Sequence, residues 1–300
     1  MTIAPPAVVR RIVYLGSPGL AVPPLRALHE AGFEIPLVVT RVDKRRGRGG
    51  ATQPTPVKAA AVELGLPVSH SLDDALRVDA DLGVVVAYGR IIPAAALDRL
   101  AMVNIHFSLL PRWRGAAPVE RALLAGDSHT GVCLMAVDEA LDTGDVYRRV
   151  ETPIADDDTL ATLRARLVEM GTTQLVEALR EGLGEPEPQV GDPVYAAKIT
   201  VDELAIDWHE RAVAIDRLVR LGGAWTTFRD RRLKVHEIRC SGGPALPPAE
   251  IDADAGGVWV GVGDGAVELR TVQPEGKPRV AAAAWANGAR LEPGERLGPS

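Results

Sequence analysis

Short apolar runs and helical repeats alternate through the first half of the chain. Arg11 to Gly16 (RIVYLG) is apolar, β-branched and closed by glycine, which reads as a strand entering a turn. Leu25 and Leu28 then recur at helical spacing within Pro23 to Ala31. Ile35 to Thr40 (IPLVVT) and Leu82 to Ala87 (LGVVVA) are further strands, with a helix over Pro56 to Leu64 between them. These runs lack polar alternation, as strands do when both faces of a parallel α/β sheet are covered. Val103 to His106 and Val132 to Val137 continue the pattern around a helix at Pro118 to Ala125. Asp156 to Asp158 then cap a long amphipathic helix marked by Leu160, Leu163, Leu167, Leu175 and Leu179.

The texture changes at Gly182 to Pro193 (GLGEPEPQVGDP), a stretch rich in Gly, Pro and Glu that reads as a surface path or linker. Beyond it one helix, Ala212 to Leu221, precedes short strands at Leu233 to Ile238, Val258 to Val262 and Ala266 to Val272. Gly, Pro and Asp clusters separate them, which points to a small β-barrel or sandwich. The expected division is an α/β domain over 1–190, a linker over 191–205 and a smaller β domain over 206–300.

With 46% hydrophobic and 25% charged residues, the 300-residue chain has ample material for folded cores, which excludes whole-chain disorder. No apolar run approaches the roughly 20 residues needed to span a bilayer. The start, MTIAPPAVVRR, lacks a signal peptide's apolar stretch, so the expectation is a cytoplasmic protein with no membrane contact; a monomer is also expected, though no feature of the sequence fixes the oligomeric state. Cys133 and Cys240 stand far apart without metal-ligand spacing, so two buried, reduced thiols are expected, with no disulfide and no metal site. A net charge of -6 argues against indiscriminate nucleic-acid binding, although net charge conceals local patches.

The segment 103–118, VNIHFSLLPRWRGAAP, places Asn104 and His106 two apart on a strand and so on one face. An imidazole can take a proton and its cation can hold developing negative charge, while an Asn amide can donate to an oxyanion. Leu141 to Asp145 (LDTGD) adds Asp142 at a glycine-containing turn, from which a carboxylate could orient the histidine. The same spacing equally fits a core histidine, a strand-end cap and a turn former, and spacing alone does not choose. A serine-hydrolase reading through Ser108 lacks the Gly-x-Ser-x-Gly elbow. Neither Gly16-Ser-Pro-Gly19 nor Gly261, Gly263 and Gly265 has the spacing and context of a dinucleotide fingerprint.

The string NIHFSLLPRWRGAAPVERALLAGDSHTGVCLM, followed by LDTGD, resembles the signature of the folate-dependent formyltransferases. LGSPGLAVPPLRALHEAG, the loop ending GRGG, TPVKAAAVELGLPV and VVVAYGRIIP are similar to successive earlier blocks of that family. YAAKITVDELAIDW, WTTFRDRRLKVHEI, VQPEGKPRV and ARLEPGERLG resemble its carboxy-terminal domain, so nearly the full chain is covered. The resemblance implies a Rossmann-like formyltransferase domain followed by a smaller OB-like β-barrel. It places a catalytic trio on Asn104, His106 and Asp142, identical in type to the family pattern. It also implies 10-formyltetrahydrofolate as co-substrate, bound around Ser108, Leu109, Leu110 and Pro111 with Ala87, Tyr88, Gly89 and Ile91 lining a pterin pocket. No metal is implied.

The trio does not name the acceptor amine, since members of the family differ there. Arg41 to Lys58 carries Arg41, Lys44, Arg45, Arg46, Arg48 and Lys58 against Asp43 alone, and it follows the second strand at the sheet's carboxyl edge, where open α/β sheets bind ligands. Such a loop suits phosphate contact. A second basic patch, Arg211 to Arg239, has eight Lys or Arg against three acids, with Trp225 and Phe228 interleaved. Arg229, Arg231 and Arg232 are its candidate RNA contacts. Together with the resemblance, these segments imply methionyl-initiator tRNA as the partner. A sugar-nucleotide formyltransferase would need a nucleotide pocket in place of these surfaces, and a non-catalytic RNA-binding module would be free to lose the trio, which is intact. Phe107, Arg90 and the Lys44-Arg45-Arg46 run depart from the common pattern without touching the trio.

Overall fold

The computed structural model describes residues 3–45, 52–240, 242–254 and 256–298. Its contacts form two compact units, one of Met1–Val119, His129–Pro153 and Arg164–Ala196, the other of Glu120–Ser128, Ile154–Leu163 and Ala197–Ser300.

In chain order the strands of the first unit are β1 (Arg11–Gly16), β2 (Glu34–Val39), β3 (Lys44–Arg45), β4 (Thr52–Gln53), β5 (Val68–Ser69), β6 (Leu82–Val86), β7 (Met102–His106), β8 (Arg114–Gly115), β9 (His129–Ala136), β10 (Val146–Pro153) and β11 (Tyr195–Ala196). Seven of them build the main sheet in the order β10-β9-β7-β6-β1-β2-β5. From β7 to β5 all pairs are parallel, whereas β9 and β10 run antiparallel at the other edge. The apolar run Leu82–Val86 is buried at all five positions, the result expected of a strand covered on both faces. Val13, Leu15, Val39, Val85, Leu97 and Met102 share one core cluster. The chain winds outward from β1 through β2 to β5, then returns to β6 and β7. The strand order reverses between β1 and β6, the kind of switch point at whose carboxyl ends open α/β sheets bind ligands.

Helices α1 (Val22–Glu30), α2 (Pro56–Glu63), α3 (Leu72–Ala75), α4 (Ala94–Leu97), α5 (Pro118–Ala125) and α6 (Leu160–Glu181) connect the strands. At Gly171 in α6, an added Cβ would lie 2.9 Å from Ile105 and 3.0 Å from Val132, so the missing side chain lets the helix sit close to β7 and β9. Phe107, 8% exposed, fills the neighbouring space as a core residue. The cap of α6 differs from the expected Asp156 to Asp158. Thr159 and Thr162 exchange side-chain to backbone bonds at 2.9 and 3.2 Å, and Asp158 braces the turn by accepting from Ala155 N at 2.8 Å.

In the second unit β12 (Trp225–Phe228), β13 (Arg231–Arg239), β14 (Ile251–Asp254), β15 (Gly257–Val262), β16 (Gly265–Pro274) and β17 (Val280–Ala281) pair antiparallel. With α7 (Ala212–Leu221) and α8 (Ala282–Ala289) they enclose Trp208, Ile215, Val235, Val260 and Leu269. This is the small barrel-like domain expected from the run of short strands. Cys133 is a buried free thiol as expected, but Cys240 is exposed, because it stands just past the last residue of β13. Among the described residues no helix is long and apolar enough to cross a membrane.

Candidate active site

Strand β7 delivers Asn104 and His106 to the carboxyl edge of the sheet. Val103 and Ile105 face the opposite side and are buried, which fixes the register of the polar pair. Asn104 lies between Val85 of β6 and Met135 of β9, and His106 beside Cys133. Asn104 is half-buried and its amide is committed to no hydrogen bond among the described residues. His106 is buried, with 5% of its surface exposed.

The loop after β7 folds back over the imidazole. Buried Ser108 donates from Oγ to Arg112 O at 2.6 Å, so its hydroxyl closes the SLLP turn. Arg149 of β10 holds the other side by donating to Leu110 O at 3.0 Å. Trp113 adopts a positive φ of 66°, and its carbonyl accepts from His106 Nε2 at 2.9 Å. A carbonyl only accepts, so Nε2 carries a proton and Nδ1 is left toward Asp142.

The LDTGD turn brings that carboxylate in. Asp142 has φ 52°, a left-handed conformation that Asp tolerates better than most residues. Gly144 is required for space, since a Cβ there would sit 2.0 Å from Ala136 O. Asp142 Oδ2 accepts from Gly115 N at 2.8 Å and lies 3.6 Å from His106 Nδ1. The side chains of His106 and Asp142 are only 6% and 15% exposed, so the pair is little screened.

Sequence reasoning missed the residues that hold this pair. Gln189, in the stretch read as surface path, donates from Nε2 to Asp142 O at 2.9 Å and to Gly144 O at 2.8 Å. Its Oε1 accepts from Arg114 Nε at 3.0 Å and Nη2 at 2.7 Å. Nothing in the local sequence marks Gln189, because each partner is remote along the chain.

At the end of β6, Ala87 (φ 46°) and Gly89 (φ 73°) turn the backbone outward, leaving Ala87, Gly89 and Arg90 exposed and Ile91 86% exposed. Tyr88 points the other way, into the core cluster with Leu97 and Ile92. It is 2% exposed, so the segment offers backbone groups and Ile91, not the tyrosine ring. Leu109 and Pro111 are half-buried and Leu110 is buried.

The basic residues are more committed than their count suggested. Arg41 is half-buried; its N–H donates to Ser17 Oγ at 3.2 Å and its guanidinium lies beside Gly89. Lys58 pairs with Asp43 at 2.6 Å. Lys44 and Arg45 form the short strand β3 against β4, and Arg46 and Arg48 lie outside the described residues. In the second unit Arg229 pairs with Glu295 at 2.7 Å, donates to Ala289 O at 3.1 Å and stacks on Phe228. Arg211, Arg220 and Arg239 pair with Asp264, Asp216 and Glu268. Arg232 lies 4.1 Å above the Trp225 ring, and Arg231, 72% exposed, is 3.8 Å from Glu275.

The arrangement places a cationic-capable imidazole, a carboxylate counter-charge and an amide donor on one edge, a set suited to an oxyanion and a proton transfer. No group of three or more His, Cys, Asp or Glu side chains among the described residues is arranged to hold a metal ion.

The Formyl transferase family matches residues 10–179, and the Formyl transferase, C-terminal domain family matches residues 198–290. A methionyl-tRNA formyltransferase of Jannaschia sp. is 44% identical over 305 residues, covering 96% of this chain and 99% of the relative. One from Arthrobacter sp. is 42% identical over 295 residues, covering 93% and 96%. Among solved structures, HypX from Aquifex aeolicus in complex with tetrahydrofolic acid shares the fold at a TM-score of 0.65 and 18% identity. That match covers 93% of this chain but only 47% of HypX.

Proposed function

The chain belongs to the methionyl-tRNA formyltransferase family, and from that premise we propose that it transfers a formyl group from 10-formyltetrahydrofolate to the α-amine of methionyl-initiator tRNA. The observation that carries the mechanism is the 3.6 Å approach of Asp142 Oδ2 to His106 Nδ1 at the edge where Asn104 presents its amide.

The folate supplies the formyl carbon. As the acceptor amine attacks it, the carbonyl oxygen gains negative charge, and the Asn104 amide and the His106 imidazolium stabilise that charge. With its Nε2–H turned from the Trp113 carbonyl to the reacting centre, the imidazolium gives that proton to the departing folate nitrogen, and the neutral ring then takes one from the attacking amine. Asp142 holds the ring's orientation and balances its positive charge. No covalent link to the protein is needed.

The donor set fits a folate. The positive-φ turn with exposed Ala87 and Gly89 offers backbone groups to a flat ring with hydrogen-bonding edges, and Ile91 and Leu109 offer apolar contact, while the expected lining residue Leu110 is buried among Cys133, Met135 and Val146. Ser108 and Pro111 shape that wall.

For the tRNA, Arg41, Lys44, Arg45, Arg46 and Arg48 in the loop after β2 meet phosphate. Arg231 and Arg232, with their neighbour Arg229, present a second basic surface around Trp225 and Phe228. Residues 1–190 form the catalytic domain, 191–205 the connection and 206–300 the tRNA-binding domain. The protein works as a cytoplasmic monomer.

The test is acceptor choice. With 10-formyltetrahydrofolate, the purified protein should formylate methionyl-tRNA and leave dTDP-linked amino sugars unmodified. Formylation of the sugar nucleotide alone would reject the proposed acceptor. Affinity for tRNA should fall steeply with added salt, as phosphate contact requires.

A further inference from the structure

The segment 187–196 is stitched to both loops that build the site. Glu187 exchanges backbone bonds with Val146 at 2.8 and 2.9 Å, extending the edge of β10. Farther on, Val194 N donates to Pro111 O at 3.2 Å, Arg114 N donates to Val194 O at 2.8 Å, and β11 pairs with β8. Gln189 stands between these two attachments.

The Gln189 amide is fully used. Its oxygen takes two N–H groups from Arg114 and its two hydrogens go to the carbonyls of Asp142 and Gly144. The orientation is unambiguous, because a flipped amide would set its NH2 against a guanidinium. A closed ring of contacts results. Gln189 grips the Asp142 carbonyl and the Arg114 guanidinium; Arg114 is bonded to Gly115, and Gly115 N donates to Asp142 Oδ2. The residue before Arg114 is Trp113, whose carbonyl holds His106 Nε2. Both ends of Asp142 and one side of the imidazole are therefore referred to the same frame.

We propose that Gln189, braced by Arg114, is a positioning residue for formyl transfer: it sets the distance and angle between Asp142 and His106 without touching either substrate. The proposal rests on the reading that the His106–Asp142 pair works in the reaction.

A Gln189→Leu variant keeps the volume and loses all four hydrogen bonds. Its kcat should fall about 10- to 100-fold, the usual range for losing an orienting contact behind a working residue, while KM for methionyl-tRNA and for 10-formyltetrahydrofolate stays within about threefold. Gln189→Glu provides a second variant that keeps the contact with Arg114 and loses the two donations to the turn. The same fall in kcat, with an unchanged thermal midpoint, separates positioning from simple loss of fold. The decisive readout is coupling. In an Asp142→Ala background, Gln189→Leu should cost almost nothing further, because the residue acts through Asp142; fully additive losses would overturn the proposal. A rise in KM with kcat intact would also overturn it. If Asp142→Ala is crippled and both Gln189 variants are within about threefold of wild type, positioning fails and the catalytic reading stands. If Asp142→Ala itself retains normal kcat, the catalytic reading fails first.

Discussion

Replacing Asp142 by Asn removes one charge and almost no volume. The amide oxygen can still accept from Gly115 N, now at 2.8 Å from the carboxylate oxygen, so the turn keeps its bond and the perturbation is electrostatic. The carboxylate lies 3.6 Å from His106 Nδ1 and the pair is largely shielded from water. At an effective dielectric of about 20, that separation gives an attraction of roughly 5 kcal/mol between the carboxylate and a protonated ring. The amide dipole and entering solvent recover part of it. The stabilisation lost when the imidazolium must hold the oxyanion is therefore about 3–4 kcal/mol, or roughly 10²- to 10³-fold in rate. Single-turnover formylation of methionyl-tRNA, with saturating 10-formyltetrahydrofolate and excess enzyme, isolates the chemical step. Folate binding, measured by equilibrium titration, should be unchanged. A single-turnover rate within about threefold of wild type, in a folded variant, would refute the assignment of Asp142 as the counter-charge.

Three further outcomes are expected. Gly144→Ala must displace the LDTGD turn by about 1 Å to relieve its contact with Ala136 O, so formylation should fall about 100-fold; normal activity would show that the turn does not set the geometry. Although Cys240 is an exposed residue, partial desolvation of its sulfur and the nearby Asp216 carboxylate push the thiol up to about 11, so alkylation by iodoacetamide should be slow at neutral pH and rise about tenfold per pH unit; fast, pH-independent labelling would contradict that environment. Asp81 accepts the backbone N–H groups of Arg10 and Arg11 at 2.7 and 2.8 Å, which hold its carboxyl below the usual range. Its contribution to stability is thus present above the unfolded-state value of about 4 and disappears as pH falls through the folded one. Because the site is open to water, Asp81→Ala should lose no more than about 1 kcal/mol in neutral denaturant titrations, and the gap should close in acid; a gap that persists at low pH would refute the linkage.

The sheet and its polar pair were legible because burial on both faces writes itself as uninterrupted apolar runs, as at Leu82–Val86, and because side chains two apart on a strand share a face. Strand β10 was not legible. Its sequence VYRRVETP interleaves charge with apolar residues, as an edge strand exposed on one side does, so no uninterrupted apolar run marks it. Helix α8, AAAWANGA, has too few large side chains to show a helical period. The site divided in the same way. Asn104 and His106 could be paired from spacing, whereas the approach of Asp142 and the whole role of Gln189 arise from contacts across tens of residues. Charge counts misled for the same reason. The acids that neutralise Arg211, Arg229 and Arg239 are Asp264, Glu295 and Glu268, all far downstream. Arg231 and Arg232, committed to weaker contacts, remain the better candidates for an RNA surface.

The central claim is that formyl transfer takes place at Asn104, His106 and Asp142. Its most direct test follows label from formyl-labelled 10-formyltetrahydrofolate to methionyl-tRNA, with wild-type protein and with a variant carrying Ala at all three positions. The wild type should label the tRNA, while the triple variant, folded and still binding folate, should transfer nothing above background. Transfer by the triple variant within about tenfold of wild type would contradict the account.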